Sequence, residues 1–159
     1  MFTPFEIKVL LKIAKKSAEV FEAISDPMQM CNYFIATSTG RMTTGATLTW
    51  TFPEFDTPFL IKVGAVTPNE HINYSWEHPD GSWTQVDILM KPIGDKETLV
   101  TITEGKKEGT EANLPWLKSN TEGWSNFLCC LKAWLEYGIN LRKGAFDLSQ
   151  MPVNDSPKS

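Results

Sequence analysis

The side chains of this 159-residue chain that could carry chemistry are two histidines, three cysteines and a scatter of carboxylates. A metal ion needs several His, Cys or carboxylate ligands converging on one point. His71 and His78 have no second such pair, and their positions are an odd number apart, so on an unbroken strand they face opposite ways. They read as a strand end and a turn. Cys129 and Cys130 are adjacent, which on a helix turns their thiols apart and argues against a shared metal. An exposed thiol there would suit redox sensing, though a free cysteine packed on a helix is the commoner case. Glu77 and Asp87 lie on either side of a tight turn, a few residues from pairing, but they share parity with Asn73, Ser75 and Gln85. That company describes a solvated outer face, not a catalytic dyad. No Gly-x-Ser-x-Gly elbow, phosphate-binding Gly-Lys loop or dinucleotide Gly-x-Gly-x-x-Gly occurs, and GKKEGTE is a charged loop. The polar groups able to act inside an apolar pocket are Tyr33, Tyr74 and Arg142. No catalytic residue, cofactor or metal is assigned.

Aromatic residues give the positive signal. Trp50, Phe52, Phe59, Tyr74 and Trp76 stand at inward positions of alternating strands. Trp124, Phe127, Leu128 and Leu131 fall on one stripe of a helix. Such side chains fill a core or line a pocket equally well. Leu114-Pro115-Trp116, an apolar knot in polar sequence, is expected to form a lid, and Trp116 completes the set expected to line a ligand cavity.

The elements that must position these residues follow from periodicity. Phe5 to Ile13 alternates like a half-buried strand. Ser17 can cap a short helix, SAEVFEAI, and Asp26-Pro27 then supplies an N-cap and first position for a second one, MQMCNYF. From about Arg41 to Glu104 alternating runs imply a meander of about six strands, with Asp80-Gly81 in a hairpin, Pro92-Ile-Gly-Asp in the next turn and Thr98 to Thr103 last. A long loop from Gly105 should lead to the helix GWSNFLCCLKAWLEYG, with Ser119 and Glu122 in capping-box spacing. Gly123 would let its first turn sit close to its surroundings. If the helix passes Gly138, Arg142 returns to the apolar meridian as a snorkelling cation or a group aimed at something bound; Gly138 can equally end it. The fold class is therefore α+β, an antiparallel sheet curled around a long C-terminal helix.

Composition bounds the partners. With 42% hydrophobic and 21% charged residues the chain suits one core, expected as a single domain over 1–145 with a flexible tail over 146–159. A net charge of −4 gives no basic footprint for nucleic acid, and Lys8 and Lys12 interrupt the first apolar run, which is too short for a membrane span. The N-terminus lacks the features of a secretory signal and the cysteine count is odd, so a reducing cytoplasm is the expected compartment.

The order of elements and three local patterns resemble a family. GWSNFLCCLKAWLEYG is similar to the C-terminal helix signature of the SRPBCC (START-like, birch-pollen-allergen-like) superfamily, in the branch named for the activator of heat-shock-protein-90 ATPase. Gly123, Trp124, Leu128, Leu131, Lys132, Leu135, Glu136 and Gly138 carry that match. SAEVFEAISDP and VDILMKPIGDKETLVTITEG resemble the family's early helix stop and late hairpin. The resemblance spans about residues 5 to 140 and implies a helix-grip fold, often with a hydrophobic cavity between helix and sheet. Two departures stand out: Asn32-Tyr33-Phe34 replaces the family's usual Trp after the second short helix, and a chain of this length leaves no room for the separate N-terminal domain of eukaryotic chaperone activators. The leading expectation is a domain that binds a small hydrophobic or amphipathic molecule, as monomer or homodimer. A protein-interaction module of the chaperone-activator type and a cyclase- or hydrolase-like enzyme are the alternatives.

Overall fold

β1 (Phe5–Ile13) buries Ile7 and Ile13 and turns Glu6, Lys8, Leu10 and Lys12 outward, the period-2 pattern its sequence predicts. The structure, a computed structural model, describes residues 3–146; the expected tail falls outside them apart from Phe146.

Two short helices follow. α1 (Ser17–Ser25) packs Val20, Phe21 and Ile24 inward, but its N-cap is Lys16, not Ser17 as expected. The Ser17 hydroxyl is engaged with Thr98 Oγ1 at 3.1 Å, and Glu19 reaches back to accept from the Lys16 N–H instead. Asp26 caps α2 (Pro27–Met30) as predicted, its Oδ1 accepting from the Met28 N–H at 2.9 Å, with Pro27 in the first turn. α2 stops four residues short of the expected Phe34. Asn32 Nδ2 donates to the Met28 carbonyl at 2.8 Å, giving the chain an alternative to helical hydrogen bonding.

The remaining strands are β2 (Thr37–Ser38), β3 (Thr47–Thr51), β4 (Phe59–Thr67), β5 (His71–Glu77), β6 (Trp83–Ile93) and β7 (Glu97–Lys107). With β1 they form one curved antiparallel sheet in the order β1-β7-β6-β5-β4-β3-β2. β2 is too short to show alternation in sequence. The Asp80-Gly81 turn is as predicted, with Gly81 at φ +83°, a conformation that favours glycine. Pro92, expected in a turn, lies in β6 opposite Thr98, beyond the last residue that β5 pairs, where a missing N–H is tolerated.

α3 (Leu114–Tyr137) lays Trp124, Phe127, Leu128, Cys130 and Leu131 against the concave face of the sheet, and Cys129 faces outward as expected. It starts well before the expected Ser119 cap. Leu114-Pro115-Trp116 is its first turn, not a lid, because proline at a helix start forfeits no hydrogen bond. β7 likewise absorbs the start of the expected loop, through Lys107. Gly123 therefore sits in mid-helix, where a Cβ would meet nothing, and holds no close approach. Gly138 ends the helix at φ +66°, with its N–H on Trp134 O and that of Ile139 on Ala133 O, a left-handed cap. The sheet gripped around this helix is the helix-grip α+β fold that the resemblance implies.

Candidate functional site: an aromatic interior with a buried carboxylate

The inward positions of β3, β4 and β5 meet the buried stripe of α3 in a continuous network of rings. Trp50 contacts Tyr74 and Trp76 with centroids 5.4 and 6.4 Å apart. Trp76 contacts Trp124 at 5.6 Å, and Trp124 contacts Phe127 at 5.3 Å. Phe52 and Phe59, 5.2 Å apart, carry the network to exposed Phe55 in the β3–β4 connection. Seven of the rings expected to line a cavity are thus brought together. Leu128 and Leu131 pack beside them in the core. Trp116 is not joined to them by a ring contact among the described residues; it lies half-buried near the start of α3, with Lys107 Nζ 5.4 Å from its ring centroid.

Phe34, which the sequence reading left out of the lining, is a hub of this network. It meets Trp50, Phe52, Trp124 and Phe127 at 5.6, 5.2, 6.2 and 4.7 Å. It belongs to Asn32-Tyr33-Phe34, the stretch that departs from the resemblance drawn from sequence. The space beside Trp124 is filled by Phe34 and Trp76, whose rings are tilted against it, and by Phe127, which meets it edge to face; such contacts add to the burial energy of the rings. Two depressions of about 440 and 170 Å³ open elsewhere, one beside Arg41 and Met42, the other beside Phe34 and Arg142.

Polar groups inside the network fall into two kinds. Glu104, 1% exposed, is fully engaged. Its Oε2 accepts from Trp76 Nε1 at 2.9 Å and Thr84 Oγ1 at 2.5 Å; its Oε1 accepts from Trp124 Nε1 at 2.8 Å and Asn120 Nδ2 at 3.1 Å. Register makes this cluster: Trp76 pairs with Thr84 across β5 and β6, Glu104 sits opposite Val86 two residues on, and Asn120 and Trp124 share one face of α3. The carboxylate ties the sheet to the helix. His78 donates to Thr84 Oγ1 at 2.7 Å, since the Thr84 proton is given to Glu104, and burial lowers its pKa against the opposing pull of Glu104. The sequence signal for Glu104 was parity: Thr98, Val100, Ile102 and Glu104 all point inward along β7.

The second kind has no partner. Tyr74 Oη and Trp50 Nε1 are buried without a hydrogen-bond partner among the described residues, and burial, then Glu104, pushes the Tyr74 hydroxyl well above its ordinary pKa, so it is neutral. Tyr33, by contrast, commits its hydroxyl to Ala23 O at 2.7 Å. Arg142 lies past the end of α3 on Glu54, outside the Trp50–Tyr74 space. On the outer face Asp87 holds His71 and Asn73, while Glu77 pairs with Trp83, so the two carboxylates form no dyad. No group of three or more metal-ligating side chains occurs among the described residues.

Residues 15–136, the span from the first helix through the aromatic stripe of α3, match the model of the family described as activator of Hsp90 ATPase homolog 1-like protein. The chain belongs to that family. Among solved structures, the chain is similar to protein SSP2350 from Staphylococcus saprophyticus, at 27% identity and TM-score 0.75 over 87% of this chain and 96% of that one. It shares the fold of the Aha1 dimer from Colwellia psychrerythraea, at 18% identity and TM-score 0.72 over 84% and 98%. It also shares the fold of DynU16, of the dynemicin biosynthetic locus, at 24% identity and TM-score 0.74, covering 84% of this chain and 48% of that one. No curated protein sequence matches significantly. No helix among the described residues is long and apolar enough to cross a membrane.

Proposed function

We propose that this domain binds a small hydrophobic or amphipathic molecule between α3 and the concave face of the sheet, in a reducing cytoplasm and without an assigned reaction. The observation that carries the reading is the pair of unpartnered groups, Trp50 Nε1 and Tyr74 Oη, on rings 5.4 Å apart in an aromatic interior whose buried carboxylate, Glu104, is already committed to other donors. An unmet buried donor costs about 1–3 kcal/mol. Because rings fill the space beside Trp124, a ligand must displace some of them; one with an acceptor oxygen on an apolar body relieves the cost of the unmet donors while its body replaces the ring contacts it breaks. Entry is supported at the Phe55–Phe59 edge, where the network reaches solvent.

Thermal-shift screening with fatty alcohols, flavonoids and anthraquinones tests it, with Tyr74→Phe as the diagnostic variant. Removing an orphan hydroxyl should leave stability unchanged or raised, and should weaken the best-bound compound about five- to tenfold, the worth of one hydrogen bond. Undiminished affinity in the variant, or a screen in which nothing raises Tm, contradicts the reading.

A second reading, a surface for a protein partner or a second copy, is favoured by the outer face. Leu10 and Leu89, 54% and 47% exposed, stand in one cross-strand row on either side of Thr101. Leu10→Asp with Leu89→Asp would then abolish a concentration-dependent dimer in light scattering, or any stimulation of a chaperone ATPase, without altering ligand binding.

A further inference from the structure

The depression of about 170 Å³ beside Phe34 is lined by Tyr33, Phe34, Ile35 and Pro53 and, from the chain after α3, by Arg142. The left-handed cap at Gly138 turns the chain back after α3, and this delivers Arg142 onto the rings of Phe34, Phe52 and Phe146, with the guanidinium carbon 5.8, 5.8 and 4.7 Å from their centroids. The side chain is only 14% exposed. A guanidinium has five N–H donors. One nitrogen, Nη2, is matched by Glu54, whereas the buried Nε has no acceptor among the described residues.

The charges about the depression are Arg142 and Lys143 against Glu54, one positive charge in excess. Asn140, at the rim, accepts the Lys143 N–H through its side-chain oxygen. The Cys31 thiol on the same wall adds no negative charge, because burial and Asp26 raise its pKa. A planar guanidinium with donors to spare over an apolar wall matches a carboxylate better than a spherical anion. The volume is of the class that accepts a single aromatic ring, a cavity of about 150 Å³ being enough for benzene.

We propose that this depression is a binding site for a small organic monoanion, a carboxylate on an apolar body, with Arg142 as its anchor and Phe34 as the wall its body rests on. The site shares Phe34 with the aromatic interior but does not depend on a ligand entering there. Arg142 thereby holds something outside the helix–sheet space.

The test uses phenylacetate, its neutral isostere phenylacetamide and inorganic phosphate on the whole chain in a Cys129→Ser background, which leaves Cys31 as the exposed thiol. Calorimetry should show phenylacetate binding at least tenfold more tightly than phenylacetamide or phosphate. Saturating phenylacetate should slow alkylation of Cys31 by N-ethylmaleimide several-fold. Arg142→Met should erase the preference for phenylacetate, and Lys143→Met, at an exposed position, should weaken it a few-fold. If Arg142→Met does not fold, the wild-type comparison and the Cys31 protection still decide. Equal binding of acid and amide, phosphate binding as tightly as phenylacetate, unprotected Cys31 or full affinity in a folded Arg142→Met overturns the inference. Protection of Cys31 by phenylacetate in a protein whose Tyr74→Phe variant changes nothing leaves this site standing while the interior-ligand reading fails; the reverse pattern does the opposite.

Discussion

Glu104 accepts four hydrogen bonds, and the two indoles sit on different oxygens, Trp76 on Oε2 and Trp124 on Oε1. Glu104→Gln is therefore not conservative. Whichever way the amide lies, one buried indole N–H faces an NH₂ group, and the variant should lose about 2 kcal/mol in urea unfolding. A loss below about 0.5 kcal/mol, the range of an ordinary surface change, would mean the carboxylate is not the clamp described. His78 gives this cluster a pH signature. Its folded pKa lies below the ordinary imidazole value of 6.5, with burial as the main cause. The unfolded chain then binds the proton more readily, so its contribution to stability is fully present above that value and is lost as pH falls through it toward the lowered one. Glu104, Lys107 and Asp80 set the field around the ring. His78→Gln should flatten the stability profile in that window, measured by urea midpoints at successive pH values. Glu104 was legible as an inward residue on parity alone, but a carboxylate ending a Thr-rich run reads equally well as the strand's solvated end.

At the scale of elements, β1, the Asp26-Pro27 helix start and the Gly81 hairpin were all legible, because each rests on local chemistry that no distant contact overrides. The start of α3 was not. Pro115 fits a helix's first turn and a loop equally well, and the polar run around Ser119 and Glu122 carries a capping pattern that the structure leaves inside the helix. Two glycines test the observed boundaries together. Gly123→Ala, in mid-helix with open space at Cβ, should raise stability by about 0.8 kcal/mol through helix propensity. Gly138→Ala, at φ +66°, should lower it by about 1 kcal/mol through left-handed strain. If Gly123 instead began the helix, the first substitution would gain nothing. Thermal or urea unfolding of the two variants separates these outcomes.

Over the whole molecule, the gripped helix and most of the inward aromatic set followed from alternation and helical spacing, and the family match covers the span that holds the helix stripe. Whether rings fill a space or line it depends on side-chain volumes meeting across strands far apart in sequence. Phe34 shows the difficulty: it lies in the turns after α2, with no period to mark it, yet it closes the network against four other rings. The unpartnered Trp50 and Tyr74 groups are likewise products of packing, invisible to pattern. The chain's six tryptophans offer the most direct measurement, the ¹H–¹⁵N spectrum of their indole N–H groups during titration with the compound that most raises Tm. A ligand between α3 and the sheet should shift the Trp50, Trp76 and Trp124 resonances and leave Trp83, exposed on the outer face, unmoved. Saturation with those three unmoved, or with Trp83 alone shifted, would contradict binding in the aromatic interior.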